Sequence, residues 1–177
     1  MTDDENYHCY TRRDLPSSNN MGEVSDLSAK VREILARPSV KESIATVHQL
    51  GASSIKVQSS LLAHMISLGF QSEKKGLFAD FNVAGIRPDY YKNVVGGGVI
   101  FEVERGKTIA NNMDLLDVWK THICQEAKHL FLLVPVIRVT EKGGEQKVFK
   151  FVEKRIGAFF SPHVEPIDVD SVHLFGY

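Results

Sequence analysis

The chain has 177 residues, 43% of them hydrophobic and 24% charged, which is enough to bury one core and too little for two full domains. A formal charge of -1 excludes a molecule-wide basic field, so any polyanionic partner has to meet a local patch.

Residues 1–24 mix charges, Asn, Ser and Pro without a period, the composition of a flexible N-terminal arm outside the core, and residues 25–177 are expected to form a single domain. Ser25 and Asp26 suit the cap of a helix running to about Arg37, with Leu27, Val31, Ile34 and Leu35 on one face, before Pro38 interrupts it. A second helix, about Val40 to Leu50, stops at Gly51. A third, about Ser54 to Leu68, carries Ile55, Leu62 and Ile66 in its apolar stripe and ends at Gly69. Beyond Gly69 the period becomes strand-like in LFADFNV and GVIFEVE, predicted to pair as a hairpin around IRPDYYKNVVGG. A helix from about Asn112 to Lys128 follows, its inward stripe predicted as Leu116, Trp119, Ile123 and Ala127. The nearly all-apolar HLFLLVPVIRV suits a central strand covered on both faces. EKGGEQ reads as a turn into KVFKFVEK, a further strand or short helix, and no period is legible after Pro162. This order predicts an α/β fold, a mixed central β-sheet flanked by α-helices.

The cysteines, Cys9 and Cys124, cannot form a disulfide framework, which fits a reducing cytoplasm. No segment reaches the roughly 18 to 20 apolar residues that a membrane span needs, and no basic-then-apolar leader opens the sequence.

Alternate residues of a strand share a face, so Ile100, Glu102 and Glu104 point one way and Val99, Phe101 and Val103 the other. Like charges so placed repel unless a cation or basic neighbour lies between them. Asp89 follows Pro88, which favours a strand end, and a hairpin returns it to the side of Glu102. Three carboxylates at one point form a hard oxygen site suited to Mg²⁺ or Mn²⁺. Lys120 lies on the flank of the next helix's predicted stripe, within reach of a phosphate or an attacking water. Arg105 and Lys107 are the candidates for phosphate contact.

The stretch from LLAHMISLGF through RPDYY and GVIFEVERGKT to NNMDLLDVWKTHICQEAKHLFLLVP, roughly residues 60 to 135, resembles the restriction-endonuclease-like or PD-(D/E)xK nuclease superfamily. The resemblance implies a restriction-endonuclease-like core, with metal bound by Asp89 and Glu102. The third motif position, usually lysine, is Glu104, as in a minority of type II restriction enzymes, where that glutamate is thought to bind metal or act as base. The implied activity is metal-dependent endonucleolytic hydrolysis of DNA phosphodiester bonds, with RNA not excluded, and cutting of both strands is compatible with a two-fold homodimer. A second reading of the same residues is a catalytically inactive nuclease-fold module that binds nucleic acid or protein.

Other signals carry less. RGKT lacks the loop of a phosphate-binding P-loop, because Phe101 stands where its first glycine belongs. Gly96, Gly97 and Gly98 precede a strand instead of a helix, and His122 and Cys124 face different sides of theirs, so neither set makes a dinucleotide or zinc site. The helices around HQLGASS have too few basic residues for a DNA-reading helix-turn-helix.

Overall fold

The computed structural model describes residues 5–15, 21–49, 51–81, 85–105, 108–140 and 142–177. Strand β1 (Tyr7–Thr11) is followed by helices α1 (Gly22–Ala36), α2 (Pro38–Val47) and α3 (Ser54–Ser67). Next come β2 (Gln71–Ser72), a single 3-10 turn (Ala79–Phe81), β3 (Tyr90–Lys92), β4 (Gly98–Val103), α4 (Met113–Ile123) and β5 (Ala127–Val134). The hairpin β6 (Arg138–Val139) and β7 (Glu145–Gln146), helix α5 (Val148–Phe159) and strand β8 (Ser171–Gly176) complete the order. A six-stranded sheet runs β1-β8-β5-β4-β3-β2, parallel at β4/β5 and β5/β8 and antiparallel elsewhere, so the predicted mixed sheet flanked by helices is present.

The strands divide their side chains between two layers. Val99, Phe101, Val103, Phe131, Leu133 and Phe175 pack under α1 to α3, whereas Ile100, Leu130, Leu132, Val172 and Leu174 pack under α4 and α5. β5 is buried on both faces along nearly its whole length, as its nearly all-apolar run predicts. α1 starts a turn earlier than the Ser25–Asp26 cap predicts, because Val24 extends the buried series Leu27, Val31, Ile34 by one more helical step. Pro38 opens α2 instead of merely ending α1; it holds Arg37 extended and needs no N–H at the first helical position. α3 buries Val57, Leu61 and Met65, while the expected stripe of Ile55, Leu62 and Ile66 faces outward. This helix is apolar on two sides, and the side with four-residue spacing is the one that packs. Gly69, at φ +86, ends α3, where Phe70 N–H reaches back to the Met65 carbonyl.

Four further expectations are corrected. The stretch predicted as an arm outside the core supplies β1, whose Tyr7 and Tyr10 pack against the two opposite core layers and whose backbone covers the edge of β8. LFADFNV is not a strand in its described part: the adjacent Leu77 and Phe78 are both buried, against strand alternation, and a 3-10 turn follows, with residues 82–84 lying outside the described set. β4 pairs instead with β3, which lies within the predicted hairpin loop. Gly98 permits this pairing, since a Cβ there would run into the Tyr91 ring and the Glu126 carbonyl. Finally, α4 ends at Ile123, Ala127 belongs to β5, and the helix buries Asp114, Asp117, Val118 and Thr121 while leaving Leu116 and Trp119 about half exposed. KVFKFVEK resolves as a helix with Phe149, Val152 and Ile156 inward, and the unreadable tail contains β8 beside β5.

Candidate active site

The register Tyr90 opposite Phe101 sets Asp89, the residue before β3, against the end of β4. There the two acids interlock through backbone: Asp89 N–H donates to Glu102 Oε2 at 3.3 Å, and Val103 N–H donates to Asp89 Oδ2 at 2.8 Å. Gln58 on α3 approaches the Asp89 carbonyl with its side-chain amide at 3.5 Å and accepts the Tyr90 hydroxyl on its backbone carbonyl. Glu73 N–H also donates to the Asp89 carbonyl, at 2.9 Å, while the Glu73 carboxylate pairs with Arg87 at 3.4 Å.

Glu102 shares its sheet face with Ile100, as strand parity predicts, and that face looks toward α4. Lys120 extends from α4 and places Nζ 2.7 Å from Glu102 Oε1 and 3.2 Å from Asp117 Oδ1, one helical turn back. The lysine is therefore drawn inward by acids instead of lying along apolar surface. Glu104 continues the strand, with its N–H on the Leu133 carbonyl, its Oε2 accepting the Thr108 hydroxyl at 3.3 Å and its carbonyl accepting the Tyr177 hydroxyl at 3.1 Å.

Burial sets the electrostatics. It pushes the Glu102 carboxyl well above its ordinary range; Asp117 and Asp89 push the same way, and Lys120 opposes them. Glu104 is raised to about 8 by burial and then by Asp117 and Asp89. Asp117 is raised to about 6 by burial, against the pull of Lys120, and burial raises Asp89 as well. For Lys120 burial disfavours the ammonium, but Glu102 and Asp117 outweigh it and hold the charge in place. Lys120 pulls down the carboxyls of Asp89, Glu102, Glu104 and Asp117, yet burial outweighs it and leaves all four above their ordinary range.

Of the expected site residues, the structure gathers Asp89, Glu102 and Lys120 through direct bonds and sets Glu104 within their electrostatic reach. Arg105 is not available for phosphate contact: it is 5% exposed and its guanidinium donates to the Ala52 carbonyl, bracing the loop between α2 and α3. Its parity, opposite to that of the acids, turns it to the α1–α3 side. Lys107 lies outside the described residues. Asp117 is the residue that sequence reasoning misses; its signal is the three-residue spacing to Lys120, which places both on one helical face.

As they stand, no three His, Cys, Asp or Glu side chains among the described residues are gathered to hold a metal ion. The donor chemistry still suits a hard divalent cation, being all carboxylate oxygen, in excess of positive charge, with Asp117 Oδ2 buried and lacking a hydrogen-bond partner. Among the described residues no helix is long and apolar enough to cross a membrane. Compared with models of known families and with curated proteins, the sequence matches none.

Proposed function

We propose that this sheet is a restriction-endonuclease-like core and that the chain is a metal-dependent endonuclease hydrolysing DNA phosphodiester bonds. The observation that carries the reading is the interlock of Asp89 with Glu102 at the end of β4, with Lys120 from α4 on the same carboxylate. Asp89, Glu102 and Glu104 would hold Mg²⁺ or Mn²⁺, which when bound neutralises phosphate charge and acidifies water. The chain's own groups supply the rest. Lys120, whose ammonium stands on Glu102 and Asp117 in the metal-free chain, donates to a phosphate oxygen or to the attacking water. Glu104 accepts a proton from that water as its oxygen bonds to phosphorus and the 3′ oxygen departs. RNA as substrate, a cytoplasmic setting and a two-fold homodimer are compatible with this reading and belong to the proposal.

The second reading, an inactive nuclease-fold module that binds nucleic acid or protein, is favoured by the absence among the described residues of a preformed ligand set and by Glu104 standing where the family usually has lysine. Purified protein with plasmid DNA, Mg²⁺ or Mn²⁺, and an EDTA control separates the two. Wild type is expected to nick or linearise the plasmid only with the metal, and Asp89→Ala and Glu102→Ala to reduce cleavage by about a hundredfold or more. Variants that cut as well as wild type would remove the site, and a salt-dependent gel shift without cleavage would establish the binding module.

A further inference from the structure

Asp117 is the acid of the cluster least satisfied by its surroundings. Its side chain is 1% exposed, Oδ1 meets only the longer of the two Lys120 contacts, and Oδ2 has no hydrogen-bond partner among the described residues. Its own helix does not compensate, because the Thr121 hydroxyl donates to the Asp117 backbone carbonyl instead of the carboxylate. Native proteins seldom leave a buried carboxylate oxygen bare, and a bare one next to further acids marks a place where a cation is wanted. The Lys120 ammonium sits at the point where the oxygens of Glu102, from β4, and Asp117, from α4, converge.

We propose that this point is a divalent-cation position in which Asp117 is a donor beside Glu102, and that Lys120 is its resident substitute, swinging aside when the ion arrives. The inference rests on the nuclease reading and adds to it a donor from α4 and a built-in competitor. An ammonium and a dication cannot share the same pair of oxygens without strong repulsion, so occupancy is exclusive. The exchange is sterically open to Lys120, whose flexible side chain is 17% exposed at the rim of the cluster.

The test is Mn²⁺ binding to the full chain without nucleic acid, read by electron paramagnetic resonance of the free ion. Asp117→Asn is expected to bind about tenfold more weakly than wild type, since a charged donor is lost. Lys120→Met is expected to bind several-fold more tightly, the reverse of what a lysine that merely supports the site would give. Asp117→Asn binding as wild type, with an unchanged circular dichroism spectrum, overturns the assignment, as does Lys120→Met binding no more tightly. If either occurs while Asp89→Ala still abolishes metal-dependent cleavage, only the Asp117 site falls. Wild-type protein that neither binds Mn²⁺ nor cuts plasmid brings down both.

Discussion

Removing the Lys120 ammonium leaves Glu102 and Asp117 facing each other with no cation between them, at 5% and 1% exposure. Breaking a buried pair from one side costs about 3 kcal/mol or more, because the remaining charge cannot be resolvated. Lys120→Ala is therefore expected to lower the denaturation midpoint in metal-free buffer, with part of the loss restored by millimolar Mn²⁺. Thermal melts with and without the ion check this, and an unchanged midpoint would show that the contact is energetically idle. The same residue illustrates what sequence could and could not tell about the site. Asp89 and the Glu102–Glu104 pair are legible because proline and strand parity constrain where they point. Lys120 is legible only as a flank position. Asp117 is invisible by the usual rule, since an aspartate on a helix reads as its solvent face, and the true outer face here carries Leu116 and Trp119.

Elements with one clear period emerge from the sequence, and those whose environment overrides the period do not. α1 to α3, β4 and β5 have long or unbroken apolar patterns, so their existence is predictable even where the packed face of α3 is not. α5 opens on VFKFV, rich in the β-branched and aromatic residues that favour strands, and only Val152 and Ile156 further on reveal the helical spacing. β3 has three residues, and β8 carries a histidine in its middle, so neither stands out from its polar surroundings. β1 is the most consequential miss. It covers the backbone of β8 from Ser171 to Phe175, and Tyr7 packs at a tilt against Phe175 and shares a hydrogen bond with His173. Deleting residues 1–12 should lower the unfolding midpoint and, by baring the edge of β8, give concentration-dependent association on size-exclusion chromatography. A truncated protein that melts and elutes as the full chain would show β1 to be dispensable.

At the scale of the molecule, stability should respond to acid through two imidazoles on adjacent parallel strands. Burial lowers His129 to about 4 and His173 to about 3, and His129 adds to the effect on His173. Their neutral rings are held by Ser171 Oγ at 2.9 Å and Tyr7 Oη at 2.8 Å. Well above about pH 6.5 these rings are neutral whether folded or not and contribute nothing to the pH dependence. Between that value and the lowered folded pKa only the unfolded chain takes up the proton, so stability falls with pH. For His129 alone the loss is on the order of 3 kcal/mol by about pH 4. The raised carboxyls of the cluster pull the other way, so the clean comparison is wild type against His129→Asn, which keeps them. Urea midpoints from pH 7 to 4 should fall more steeply for wild type, and parallel curves would refute the assignment.

The position of β8 has a consequence for biosynthesis. It is the last strand in chain order, yet it lies between β5 and β1 and joins the earliest strand to the rest of the sheet. A growing polypeptide cannot close this sheet as it emerges; Tyr7–Thr11 must wait unpaired until Ser171–Gly176 leaves the ribosome. Until then β5, apolar on both sides, has a bare flank. That flank is exposed from the synthesis of Ala127–Val134 until Ser171–Gly176 emerges, the interval in which a holding chaperone is expected to bind the nascent chain.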